Sequence, residues 1–108
     1  MTAEAESLSA RGYVSTWLLE NHARLGLELK RLSRAETPAQ ILSAWLESPE
    51  FLVDVTAWEH AYCLDILILE KASGNTVFSE AGSCETTNGL QARLLSFAAW
   101  LKEHVPSG

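Results

Sequence analysis

The chain has little cysteine, and this shortage excludes several classes of protein. Its 108 residues include two cysteines, Cys63 and Cys84, which stand apart and form no CxxC pair. Two separated cysteines do not make a disulfide scaffold, so we expect both thiols to be reduced and no metal or other cofactor to be bound. The sequence also lacks a phosphate-binding loop and a recognisable catalytic nucleophile, which predicts a protein that is not an enzyme.

Positive charge and long apolar runs are also scarce. The chain has 8 basic against 14 acidic side chains, a net charge of −6. Nucleic-acid binding draws its affinity from clustered Lys and Arg, so no nucleic-acid partner is expected. No apolar run approaches the roughly 20 residues of a membrane-spanning helix, and residues 1–6 lack the basic region of a secretion signal. These shortages predict a cytoplasmic protein without a membrane partner.

What is present is an ordinary globular composition with an acidic middle. Hydrophobic residues make up 47% of the chain and charged residues 20%, which excludes disorder. The length predicts one domain that spans residues 1–108. Residues 36–85 carry nine acidic side chains against Lys71 alone. So acidic a segment favours a basic partner.

Apolar spacing predicts two helices in the first half of the chain. Between Ser9 and Ser33 the apolar residues recur every three, four or seven positions, which is typical of one long amphipathic helix. They are Val14, Leu18, Leu25, Leu29 and Leu32. Thr37-Pro38-Ala39-Gln40 then forms a capping box, and a short helix is predicted from Pro38 to about Glu47. The tryptophans on or beside helical apolar stripes are predicted core residues: Trp17, Trp45 and Trp100.

From Glu50 onward the apolar period changes to two. Strands are predicted from Glu50 to Trp58, from Tyr62 to Leu69 and from Thr76 to Glu80. A last helix begins near Thr86 and ends near His104. The element order is α-α-β-β-β-α. The predicted fold is therefore α+β, a two-layer domain with a three-stranded antiparallel β-meander and helices packed on one face.

The first predicted hairpin assigns residues to the two faces of the sheet. If Glu59 and His60 form a two-residue loop, Asp54 pairs with Asp65 across the strands. One face is then wholly apolar and should lie under the helices, through Phe51, Val53, Val55, Leu64, Ile66 and Ile68. The other face exposes acidic side chains and a tryptophan. The predicted partner-binding residues are Asp54, Trp58, Glu59, Asp65 and Glu80.

The paired carboxylates leave three interpretations open. Asp54 and Asp65 could act as a general acid and base in a small hydrolase, because one carboxyl of such a pair has a raised pKa. They could instead belong to a binding surface for a cationic partner, or to a solvated face in another register. Trp58 is either an interface anchor or a side chain packed beneath a neighbouring loop.

Three segments carry a family resemblance. The stretches Phe51–Trp58, Leu64–Glu70 and Thr76–Ser83 resemble small bacterial immunity proteins of the TriTu type, and the likeness runs from about Tyr13 to His104. It implies a cytoplasmic protein that binds and neutralises a cognate antibacterial toxin without catalysis.

The resemblance also implies the partner. The toxin is the catalytic domain of an ADP-ribosyltransferase that modifies elongation factor Tu and is delivered between competing cells, as in type VI secretion. We expect a monomer, or a heterodimer with the toxin. The alternative is a small acidic secretion chaperone, which would dimerise and wrap an extended segment of its client.

Overall fold

Two helices flank a five-stranded antiparallel sheet. The structure is a computed structural model, and it describes residues 10–35, 41–58 and 63–105. The elements in chain order are α1 (Ala10–Asn21), β1 (Glu28–Ala35), β2 (Ile41–Glu47), β3 (Phe51–Trp58), β4 (Leu64–Glu70), β5 (Thr76–Glu80) and α2 (Thr87–His104). The strands lie side by side in sequence order, so the sheet is a meander. The predicted α+β class is confirmed, while the predicted count of three strands is wrong.

The long first helix is shorter than predicted. It ends at Asn21 instead of continuing to Ser33, and a turn over residues 22–26 follows. Gly26 has a φ of 78°, a left-handed conformation that glycine adopts without steric cost and that redirects the chain. The second half of the predicted helix is therefore β1.

A β-bulge explains why β1 has the spacing of a helix. Leu29 pairs with Leu46 and Leu32 pairs with Ala44, so both leucines face the buried side of the sheet. Between them the register shifts by one residue, after Leu29. The extra residue turns an alternating spacing of two into a spacing of three, which imitates a helical period.

The second predicted helix is also a strand. The segment Ile41–Glu47 is β2, and the capping box at residues 37–40 lies outside the described residues. Burial alternates along β2, with Leu42, Ala44 and Leu46 buried. Trp45 points the other way and is 38% exposed, so its prediction as a core residue is wrong. Apolar side chains on both faces of β2 produced the apparent helical stripe.

The second half of the chain follows the prediction closely. Strands β3, β4 and β5 are confirmed, and α2 begins where its cap was expected. The Thr86 hydroxyl oxygen accepts a hydrogen bond from the Gly89 N–H at 3.0 Å, which satisfies one free donor of the first helical turn. The predicted apolar stripe of α2 is buried: Leu90, Leu94, Phe97, Ala98, Leu101 and Val105.

Both helices pack on one face of the sheet, which we call the covered face. Its central side chains on β3 and β4 are those predicted for the apolar face: Phe51, Val53, Val55, Leu64, Ile66 and Ile68. Aromatic contacts fix α2 on this layer. The ring of Phe51 meets Trp100 edge-on at 5.2 Å, and Phe97 of α2 lies 6.0 Å from Trp17 of α1. Contacts of this kind add to the area that the rings bury.

Candidate functional site

The other side of the sheet, which we call the open face, carries neither helix of the described residues. Its side chains come from all five strands and alternate with those of the covered face. They include Arg31, Ile41, Ser43, Trp45, Leu52, Asp54, Thr56, Trp58, Asp65, Leu67, Leu69 and Ser79. Four of these are aliphatic, and each is only half-buried. Several adjacent apolar side chains on one surface are typical of a protein-binding site.

The register of β3 and β4 differs from the predicted one by two residues. Asp54 pairs with Leu67, and Asp65 pairs with Thr56. The prediction that the two carboxylates lie directly across from each other is therefore wrong. Because the shift is even, each residue stays on its predicted face. The two carboxylates are diagonal neighbours on the open face instead of an acid–base pair.

Neither carboxylate at the centre of the open face has a cationic partner among the described residues. Asp54 accepts a long hydrogen bond from the Thr56 hydroxyl at 3.4 Å. Asp65 accepts one from the Gly82 backbone N–H at 3.0 Å. The ion pairs within the described ranges are made by other acidic residues: Lys30 with Glu28, Lys71 with Glu47, and Arg93 with Glu80. The two central carboxylates of the open face therefore form no ion pair within the described ranges.

Trp45 is an exposed aromatic side chain whose ring makes one side-chain hydrogen bond. Its indole N–H donates to Oε2 of Glu47 at 3.1 Å, and Oε1 of the same carboxylate lies 3.0 Å from Nζ of Lys71. The hydrogen bond from Lys71, and then that from Trp45, lowers the pKa of the Glu47 carboxyl below its ordinary value of 4.5. The ion pair therefore holds the carboxylate that orients the ring.

Trp58 lies at the end of β3 and is half-buried on the open face. Together with Cys63, Asp65 and Gly82 it lines a shallow depression of about 350 Å³. A second depression, of about 420 Å³, lies between Trp45 and Asp54. Trp58, whose sequence context left open an interface anchor or a packed side chain, thus shares its face with a tryptophan predicted for the core.

The two remaining predicted site residues are Glu80 and Glu59. The Glu80 carboxylate points to the covered side, where Oε1 accepts a hydrogen bond from the Ser96 hydroxyl at 3.4 Å. Its Oε2 lies 3.9 Å from Nε of Arg93. Glu80 also lines, with Asp54 and Asp65, a depression of about 250 Å³, so its place in a binding surface stays a prediction. Glu59 lies outside the described residues.

The thiols and the possible metal ligands of the described residues form no further site. Cys63 and Cys84 are both free thiols, and burial raises the pKa of the Cys84 thiol, which makes it less reactive. Within residues 10–35, 41–58 and 63–105, no three His, Cys, Asp or Glu side chains lie close enough together to hold a metal ion. Neither helix of these ranges is long and apolar enough to cross a membrane.

Comparison with known proteins gives no match: no family model fits the chain, and no curated protein or solved structure is similar to it. The resemblance to TriTu-type immunity proteins therefore stays a prediction.

Trp45 is the residue of the open face that the sequence analysis assigned wrongly. The sequence does contain a pattern that predicts an exposed Trp45. In the segment 41–47, Leu42, Ala44 and Leu46 alternate with Ser43 and Trp45. Treated as a strand, this pattern would have put the tryptophan opposite the core.

Proposed function

We propose that the protein is an immunity protein that binds and neutralises a cognate antibacterial toxin through the open face. The observation that carries the proposal is the make-up of this face. It combines two tryptophans with two aspartates that have no ion pair among the described residues. Tryptophan is enriched at the energetic centres of protein interfaces, and unpaired carboxylates select a basic partner.

The charge of the whole chain supports the same partner. A net charge of −6 speeds the encounter with a basic protein surface, such as a catalytic cleft that binds an anionic cofactor. The resemblance to TriTu-type proteins names the toxin class, an ADP-ribosyltransferase that acts on elongation factor Tu. In this proposal the protein works in the cytoplasm, by binding alone, as a monomer that forms a heterodimer with the toxin.

The open face supplies the centre of such an interface but not all of it. A stable complex buries about 800 Å² on each partner. Five strands spaced about 4.8 Å apart form a platform only about 20 Å wide. Loops at the ends of the strands must therefore add to the contact, and Trp58 lies beside one of these ends.

Co-expression with the product of the adjacent gene tests the proposal. We expect that product to be toxic alone, harmless together with this protein, and purified with it as a complex. A harmless neighbour, or two proteins that do not bind each other, would overturn the proposal. A stable homodimer that binds an unfolded segment would instead favour the secretion chaperone.

Variants of the open face locate the contact. Asp54→Lys with Asp65→Lys should slow association and weaken its salt dependence, because these charges steer the encounter. Trp58→Ala should mainly speed dissociation. Glu103→Lys makes the same kind of charge change on an exposed position of α2 and is the control. Equal effects of all three changes would move the interface away from the sheet.

The absence of catalysis has its own test. We expect no turnover by the wild-type protein. The double variant Asp54→Asn with Asp65→Asn should preserve the fold. An activity that disappears in this double variant would support the hydrolase interpretation.

A further inference from the structure

Trp45 and Asp54 are direct neighbours on the open face. They are paired residues of β2 and β3, and in such pairs the Cβ atoms lie about 5 Å apart. Together with Arg31, Ser43 and Thr56 they line the depression of about 420 Å³. An aromatic ring and a carboxylate without an ion pair among the described residues thus border one cavity on the surface.

The ring is oriented before any partner arrives. The hydrogen bond to Glu47, and the ion pair of Glu47 with Lys71, restrain Trp45 although it is 38% exposed. A side chain that is already ordered loses less conformational entropy on binding. This arrangement favours a partner group that stacks on the face of the indole ring over a partner that only buries its apolar surface.

We propose that Trp45 and Asp54 form a receptor for one arginine side chain of the protein that docks on the open face. The identity of that protein rests on the proposed function. A guanidinium group can stack its flat face on the indole ring. Its N–H groups, which lie in the guanidinium plane, can at the same time donate to a carboxylate at the edge of that plane. Lysine offers only a point charge, and a neutral side chain would leave the Asp54 carboxylate buried without a partner.

A second copy of this chain fits the receptor poorly. Each copy has a net charge of −6 and carries Asp54 and Asp65 near the centre of the open face. Two open faces in contact would bring these carboxylates together, and like charges at close range disfavour association. The partner is therefore a different protein with a basic contact surface.

Arg31 sets the direction from which the cation is attracted. It lies on β1 across Trp45 from Asp54, lines the same depression and makes no ion pair with a described residue. Its charge repels an incoming guanidinium from one side while Asp54 attracts it from the other. Arg31→Gln should therefore tighten the binding of a cation, whereas it would weaken the binding of an anion.

A peptide titration tests the receptor without the partner protein. The probe is acetyl-Gly-Arg-Gly-amide, and its control replaces arginine by citrulline, which has the same shape but no charge. The readout is the indole N–H resonance of Trp45 in a nitrogen–proton correlation spectrum, assigned with Trp45→Phe. The arginine peptide should shift this resonance. The affinity obtained from the titration should be at least about tenfold higher than that of the citrulline peptide, because the hydrogen bond of arginine is charge-assisted.

The variants of the same titration give opposite expected signs. Asp54→Asn should remove the difference between the two peptides, and Arg31→Gln should increase the affinity for the arginine peptide. The Trp17 resonance, on the covered side, should stay in place. Equal responses to both peptides, or no response of Trp45 to the arginine peptide, would overturn the receptor.

The complex with the adjacent gene product separates this inference from the proposed function. Trp45→Ala and Asp54→Asn should each weaken that complex about tenfold or more, and the double variant should lose less than the sum of the two. Full affinity in both single variants would overturn the receptor and leave the proposed function standing. If the wild-type protein does not bind the gene product, the proposed function fails, and the peptide titration still decides on the receptor.

Discussion

The covered and open faces of β3 and β4 are built from alternate residues of the same two strands, yet they have opposite chemistry. On the covered face Val53, Val55 and Ile68 are fully buried. On the open face Asp54 and Asp65 carry charge that no described side chain neutralises. The covered face stabilises the fold, and in our proposal the open face binds the partner. Adjacent residues of one strand therefore allow the two roles to be tested separately.

The two faces should differ most in the free energy of unfolding that is lost when neighbouring side chains of β4 are shortened. Ile68→Ala removes a fully buried side chain, so it should lower the free energy of unfolding by about 2–5 kcal/mol. Leu67→Ala changes the half-buried open face and should cost about 1 kcal/mol or less. Urea unfolding of both variants measures this. Equal losses would contradict the assignment of the two faces.

A smaller effect is expected at the edge of the covered layer, where α2 is bonded to the end of β4. Nη1 of Arg93 donates to the carbonyl oxygens of Leu64 at 2.7 Å and of Gly82 at 2.9 Å. Arg93→Met keeps most of the aliphatic chain but removes both bonds and the ion pair with Glu80, which together should cost about 2 kcal/mol of stability. Thermal unfolding measures the loss, with Lys102→Met on the exposed side of α2 as control. A loss no larger than that of the control would show that packing alone holds α2.

The smallest effect is a pH dependence confined to the open face. The pKa of the Glu47 carboxyl is lower in the folded protein than its ordinary value of 4.5, first because of Lys71 and then because of Trp45. The stabilising contribution of the ionised Glu47 carboxylate is therefore complete at pH values above that ordinary pKa. It is lost as the pH falls through the lowered pKa.

The indole N–H resonance of Trp45 should report this titration, with a midpoint below 4.5. In Lys71→Gln the midpoint should rise, because the largest cause of the lowered pKa is removed. Lys102→Gln, on α2, should leave it unchanged. A midpoint that does not respond to Lys71 would contradict the link between the ion pair and the orientation of the ring.

The second half of the chain was predicted more accurately than the first, for physical reasons. In β3 and β4 the covered face is uniformly apolar, so an alternating period was visible, and turn residues separated β4 from β5. In β1 a bulge after Leu29 breaks the alternation, and in β2 apolar side chains occupy both faces. A local pattern cannot distinguish such strands from an amphipathic helix, since only the neighbouring strands determine which side is buried.

The candidate site was predicted in part for related reasons. Asp54, Trp58 and Asp65 lie on the face expected for them, because alternation alone determines the face. Their pairing was wrong, since the register depends on the length of the connection between β3 and β4. The contacts of Glu80 with Ser96 and Arg93 of α2 were not predicted, because β5 is short and exposed, with only Phe78 packed against the core. Contacts between such a strand and a helix distant in the sequence cannot be predicted from a local residue pattern.

The four tryptophans provide the most direct test of the central claim that the open face binds the partner. Trp45 and Trp58 lie on the open face, whereas Trp17 and Trp100 pack on the covered side. Protein labelled with 5-fluorotryptophan gives one fluorine resonance for each, assigned with single Trp→Phe variants. When the adjacent gene product is added, the resonances of Trp45 and Trp58 should shift while those of Trp17 and Trp100 stay in place. A complex in which Trp17 and Trp100 shift and the other two do not would contradict the claim.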